Sequence, residues 1–163
     1  MPEARKENEA LMEHGREILT LGLEGEIFAV PAGIVREILD LIPVSLVPNA
    51  HPFVPGLINV RGKVVPLADL RVQFGMKPQA PTIDSRIVVV EINFDGEPVT
   101  VGVLADKVYE VTAVLEESVE QTPRIGMRWR PEFIKGIGKR GDDFIIILDI
   151  DRVFAARSDA VAA

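Results

Sequence analysis

The residues able to do chemistry are few and poorly placed for it. Carboxylates fall in pairs at Glu116-Glu117, Asp142-Asp143 and Asp149 with Asp151. Two acids converging in a pocket would suit acid–base hydrolysis. Adjacent acids in a loop face water instead, and no nucleophile–base set accompanies them. The chain has no Cys and two His, His14 and His51. It therefore lacks a thiolate and a disulfide framework, and two imidazoles are too few for a zinc site. No Gly-x-x-x-x-Gly-Lys run is present to cradle a phosphate. Trp129, between Arg128 and Arg130, could stack a base, but it reads better as a packing anchor. A formal net charge of −7 lacks the basic face that nucleic acid requires. No catalysis, metal, cofactor or nucleic-acid partner is expected.

Other residues suit contact rather than reaction. Arg61 precedes Gly62 between two apolar runs. Its guanidinium presents fixed donors in a fork, able to hold a partner's acid or to brace its own fold. Asn59 supports the same turn through side-chain-to-backbone bonds. Val35, Glu37 and Ile38 lie in a short connection where Val35 and Glu37 share a face. Either Val35 is core and Glu37 solvated, or both meet a partner. Val35, Ile38, Leu57, Ile58 and Val108 could wall a groove for the apolar stripe of a helix, with Ile58 better suited to the core. Asp69 and Asp149 follow apolar runs and suit the N-cap of a helical turn.

A β-rich chain must position these residues. Among 163 residues, 21 Val and 16 Ile stand against 13 Leu. β-Branched side chains favour a pleated surface over a helix. Four hairpins are legible: Ile18–Leu23 with Glu26–Val30, Gly56–Val60 with Lys63–Leu67, Ile87–Phe94 with Pro98–Val103, and Phe133–Gly138 with Phe144–Leu148. Each loop contains a Gly, as tight hairpins require. Pro66 cannot donate to a ladder and belongs at a strand end, bulge or edge.

The hairpins repeat. Glu24-Gly25-Glu26 is matched by Asp95-Gly96-Glu97, and Val35-x-Glu37-Ile38 by Val108-x-Glu110-Val111. Phe53-x-x-Gly56 is matched by Phe133-x-x-Gly136, and Leu67-x-Asp69-Leu70 by Ile147-x-Asp149-Ile150. This order predicts a tandem duplication, 17–83 and 84–155, each half with about five strands. A sheet that small closes on itself to cover its edges. The expected fold is all-β: two small barrels that share apolar contacts, with short helical connections. Residues 1–16 are polar and read as a mobile tail or short helix. The Ala-rich segment 156–163 reads as a fraying tail. Apolar runs such as Ile87–Val90 fall far short of the roughly 20 residues a membrane helix needs. The charged start shows no signal peptide, so a soluble, cytoplasmic protein is expected.

The run Pro55-Gly56-Leu57-Ile58-Asn59-Val60-Arg61-Gly62-Lys63-Val64-Val65-Pro66-Leu67-Ala68-Asp69-Leu70 resembles the hallmark of CheW-like domains. That hallmark is a Gly-x-Ile-Asn-x-Arg-Gly hairpin followed by Pro-x-x-Asp-Leu. Val35-Arg36-Glu37-Ile38 is similar to the family's Val-x-Glu-Ile stretch. Gly102 to Val108 resembles its Gly-x-x-Val-Asp-x-Val segment, with Ala105 in place of the Val. Phe133 to Ile137 and Ile147 to Asp151 resemble its closing strands. The resemblance runs from about Ile18 to Phe154. It implies two SH3-like five-stranded barrels with interleaved ends. It also implies a non-enzymatic adaptor, without cofactor, that links a CheA-type histidine kinase, through its regulatory domain, to the cytoplasmic tips of methyl-accepting chemotaxis receptors. Gly56, Asn59, Arg61 and Gly62 form its signature hairpin. Val35, Glu37, Ile38 and Arg61 fall on its receptor-contact surface, and no kinase-contact residue is assigned. The implied location is cytoplasmic, at receptor arrays on the inner membrane, without insertion into it. The length leaves no room for a receiver or kinase module. Two other readings are an adaptor of the same type in a non-chemotaxis pathway and a small ligand-binding barrel.

Overall fold

In a computed structural model, residues 15–121, 123 and 130–162 are described. The strands are β1 (Gly15–Leu23), β2 (Glu26–Pro31), β3 (Val35–Asp40), β4 (Ser45–Leu46), β5 (Gly56–Val60), β6 (Lys63–Ala68), β7 (Arg86–Phe94), β8 (Glu97–Ala105), β9 (Lys107–Leu115), β10 (Ile134–Arg140) and β11 (Asp143–Leu148). Helix α1 spans Leu70–Gln73 and α2 spans Ile150–Ala162. All four expected hairpins form as antiparallel pairs. At the β5–β6 turn Arg61 (φ 52°) and Gly62 (φ 82°) are both left-handed. That combination matches the right-handed twist of a two-residue hairpin.

The strands form two curled sheets, in the orders β10-β11-β2-β1-β9 and β3-β7-β8-β6-β5-β4. Each sheet draws strands from both halves of the chain. Two parallel pairings make the exchange: Ile147 of β11 beside Ala29 of β2, and Leu67 of β6 beside Gly102 of β8. The 83/84 boundary therefore divides sequence repeats, not sheets. The second sheet has six strands rather than about five, because the two-residue β4 closes its end.

Burial alternates residue by residue along the central strands. In β11, Ile145 and Ile147 fill one barrel, while Ile146 and Leu148 face a shared central layer. In β7, Ile87 and Val89 fill the other barrel, while Val88 and Val90 face that same layer. Strands covered on both faces need near-continuous apolar runs, which explains the excess of Val and Ile. The central layer also holds Phe28, Phe53, Phe74, Phe133 and Phe154.

The repeat is visible in hydrogen bonds. Asp69 N–H donates to the Phe53 carbonyl and Asp149 N–H to the Phe133 carbonyl, both at 2.8 Å. Asp69 also caps α1 by accepting from Arg71 N–H, and Asp149 accepts from Arg152 N–H at 3.3 Å. Pro66 pairs with Leu57 on one side, and the β6–β8 pairing begins at Leu67. Its missing donor thus falls where β6 has one neighbour.

The segments expected to be tails differ from expectation. Gly15 and Arg16 pair with Leu115 and Val114, because β1 extends along its neighbour. The segment 156–162 continues α2, whose Val153 and Phe154 are buried in the central layer. Residues 1–14, with His14, and Trp129 lie outside the described residues.

Gly56 explains its own presence. A Cβ there would meet the Ser45 carbonyl oxygen at 2.5 Å and Val44 Cγ1 at 2.7 Å, because β4 folds directly over β5. Gly136, its counterpart, is covered in the same way by Val119 and Glu120. Gly56→Ala should cost about 1–3 kcal/mol, the usual range for overpacking. Urea unfolding checks this, and a variant as stable as the parent would show that β4 is not held against the sheet.

Candidate partner-contact site

The β5–β6 turn places Arg61 at the tip of a hairpin. Asn59 Oδ1 accepts the Gly62 N–H at 2.8 Å, which stabilises the turn. Arg61 Nη2 donates to Glu37 Oε1 at 2.8 Å. Glu37 stands on β3, at one edge of the sheet, and Arg61 comes from near the other edge. Curling of the sheet brings them together. The Arg61 side chain remains 82 % exposed against 25 % for Glu37. The two alternatives open in the sequence are therefore compatible: the guanidinium braces β3 and still faces solvent. A pair this exposed contributes about 0–1 kcal/mol.

The neighbouring residues divide between core and surface. Along β3, Val35, Glu37 and Leu39 are half-buried, whereas Arg36, Ile38 and Asp40 are exposed. Val35 and Val108, counterparts on β3 and β9, each lean on the central layer. Ile58 fills the second barrel. Leu57 lines a depression of about 350 Å³ with Ile42, Pro43 and Val64, and Ile58 contributes to its floor. The five residues expected to wall one groove thus lie on different surfaces, because β3 and β9 belong to separate sheets.

Several surface residues were not singled out from sequence. Leu46 is 75 % exposed and Val64 73 %. Phe144 is the counterpart of Val64 in the repeat and is 60 % exposed. The available signal was apolar residues occupying outward positions in an alternating hairpin, as in Phe144-Ile145-Ile146-Ile147.

Arg71 was also missed. Its side chain is about 10 % exposed. Nε and Nη2 donate to the two Asp69 oxygens at 2.9 and 3.0 Å. Nη1 donates to Asp106 Oδ1 at 3.1 Å and to the Gln79 carbonyl at 3.2 Å. Asp106 Oδ2 in turn accepts the Glu24 N–H at 2.8 Å. The hydrogen bond to Asp69 raises the guanidinium pKa, against burial that would lower it. One arginine thereby ties α1 to the β1–β2 and β8–β9 turns.

The paired acids are engaged locally rather than converging. Glu116 accepts from Arg16 at 2.8 Å, and Asp151 Oδ1 accepts the Asn93 N–H at 2.9 Å. Asp142 and Asp143 are exposed at the β10–β11 turn. Among the described residues no group of three or more His, Asp or Glu could hold a metal ion. No helix among them is long and apolar enough to cross a membrane.

Two interleaved SH3-like barrels, sealed by a shared apolar layer and presenting an exposed charged and apolar face, define a double-barrel module built for protein contact. The family model for the CheW-like domain matches residues 17–158. A chemotaxis protein CheW of Klebsiella aerogenes is 31 % identical over 147 residues, 90 % of this chain and 86 % of that protein. One from Rhizobium meliloti is 30 % identical over 148 residues, 91 % and 93 % of the two chains. The crystal structure of the scaffolding protein TtCheW from Thermoanaerobacter tengcongensis superimposes with a TM-score of 0.77 at 31 % identity, covering 86 % of this chain and 88 % of that one. The chain belongs to the CheW-like family of chemotaxis coupling proteins, and its role is that of an adaptor in signal transduction.

Proposed function

We propose that this chain joins the cytoplasmic tips of methyl-accepting chemotaxis receptors to the regulatory domain of a CheA-type histidine kinase, in arrays at the inner membrane. Transmission runs through contact, without chemistry of its own. The observation that carries the receptor side is the Arg61–Glu37 pair, whose guanidinium stands exposed at the tip of the β5–β6 hairpin while its carboxylate stands on β3. An exposed guanidinium held by one carboxylate of its own fold suits a receptor helix with acidic flanks. The kinase side falls to the barrel ends. Val64 on one barrel and Phe144 on the other are exposed apolar counterparts. Two similar but unequal ends allow alternation with a paralogous barrel, as heterologous contacts that close into rings do.

The test is capture of a receptor-tip fragment and of the kinase regulatory domain by wild type and by Arg61→Glu. The variant should fold normally, since the pair is exposed. It should capture the receptor fragment at least about tenfold less well, the cost of roughly one charge-assisted contact. Wild type that binds neither fragment would defeat the coupling role. Normal capture and kinase activation by the variant would defeat the Arg61 assignment alone.

A further inference from the structure

The two halves of the central layer are not filled equally. On one side Phe28 of β2 stacks on Phe74, centroids 5.4 Å apart and planes 13° apart. The repeat identifies the matching pair on the other side. Ala29 lies beside Ile147 as Gly102 lies beside Leu67, so Val101 is the counterpart of Phe28. Phe154 follows Asp149 as Phe74 follows Asp69. The tilted contacts Phe53–Phe154 and Phe74–Phe133 correspond as well, at 5.1 and 6.0 Å with 49° and 50° between planes. Where one half has a phenyl ring, the other has an isopropyl group.

A second difference adds to the first. After α1 the chain turns at Gly75 (φ 70°), and Met76 N–H donates to the Arg71 carbonyl at 2.8 Å. That turn folds Met76 into the central layer. In the other half α2 runs straight on, and the counterpart of Met76 is Ala156. Two large side chains are thus replaced by small ones on the same side.

A partly open cavity of about 380 Å³ lies where Val101 meets Phe154, lined also by Val47, Val54, Ile92 and Phe94 among others. No charged side chain lines it. One polar group does: His51, whose Nδ1 accepts the Phe53 N–H at 3.1 Å. A neutral imidazole accepting at Nδ1 carries its proton on Nε2, and so has a donor to offer.

We propose that this cavity is a binding site for a small neutral aromatic molecule bearing a hydrogen-bond acceptor. Its ring takes the position on Phe154 that the Phe28 ring takes on Phe74, and its acceptor meets His51 Nε2–H. Apolar cavities of roughly 150 Å³ take up benzene in other proteins, so the space suffices. Absence of a charged lining selects a neutral ligand, because an unpaired ion would lose its hydration. A ligand here would join the 47–54 loop, β7–β8 and α2 of an otherwise contact-only protein.

Benzamide is a suitable probe, with benzoate for comparison, read by methyl NMR on the full chain. Benzamide should shift the Val101 and Val47 methyl signals saturably, and benzoate should bind at least about tenfold more weakly. Val101→Phe rebuilds the missing ring in place. It should reduce benzamide binding at least about tenfold and raise the melting temperature. Val99→Phe, at a half-buried lining position, gives the same reading if Val101→Phe does not fold. Absence of saturable shifts, or undiminished binding in a folded filled variant, overturns the proposal. So does loss of receptor-fragment or kinase-domain capture in the filled variant, which would make a partner's aromatic side chain the occupant.

Discussion

Arg71→Leu should lower the free energy of unfolding by about 3–5 kcal/mol, the cost of breaking a buried ion pair from one side. Leucine fills much of the volume but leaves the buried Asp69 carboxylate without its two guanidinium donors, with only the N-cap bond from the residue 71 N–H remaining. It also releases the Gln79 carbonyl and one oxygen of Asp106. Asp106 then holds the Glu24 N–H without its own anchor, so the loosening should spread to the β1–β2 turn. The Arg71 pKa is shifted upward from an already high value, chiefly by the hydrogen bond to Asp69. A raised pKa adds stability that is complete below the unfolded value and lost only as pH climbs past the folded one. The arginine's contribution should therefore not change between pH 5 and 9. Urea unfolding measures the loss, with Arg71→Leu/Asp69→Asn as the companion. Asparagine keeps the N-cap and removes the orphaned charge, so the double variant should recover part of the loss. A single variant within about 1 kcal/mol of the parent would show that the network contributes no net stability.

Phe28→Ala should be comparably severe, at about 3–5 kcal/mol. Phe28 is fully buried and stacks on Phe74, which in turn meets Phe133. Its removal leaves a cavity at the centre of the layer that joins the barrels. Typical domains are stable by only about 5–15 kcal/mol, so the variant should be close to unfolding at 37 °C. Val101→Ala, the counterpart change, removes fewer atoms beside a cavity that is already partly open, and should cost much less. Thermal melting of the two variants provides the comparison. Equal losses would contradict the unequal filling of the two halves.

The fold was legible where its causes are local. Asp95-Gly96 and Arg61-Gly62 mark tight turns because few residues accept left-handed backbone. Val and Ile mark strands because branching at Cβ stiffens χ1. The repeat was legible because Phe53, Gly56, Leu67 and Asp69 meet the same demands as Phe133, Gly136, Ile147 and Asp149. The partnership of the halves was not legible from these cues. A hairpin specifies its own two strands, whereas the parallel pairings β11–β2 and β6–β8 are set by packing across the whole molecule. The full length of α2 was missed for a related reason. Its alanines carry little amphipathic signal, and the helix is anchored by Val153 and Phe154 entering a core formed elsewhere.

By itself, the amino-acid sequence determined the β class, the four hairpins, the duplication, the Asn59-x-Arg61-Gly62 turn and the absence of Cys. Through its resemblance it also pointed to the adaptor family. Each of these depends on neighbours within a few residues or on direct comparison of one segment with another. Only the tertiary structure decided that Arg61 meets Glu37, that Arg71 is buried between Asp69 and Asp106, and that Val101 leaves open the space Phe28 fills. Those contacts join residues far apart in the chain. They exist because each sheet curls, exchanges strands with the other half and buries both of its faces.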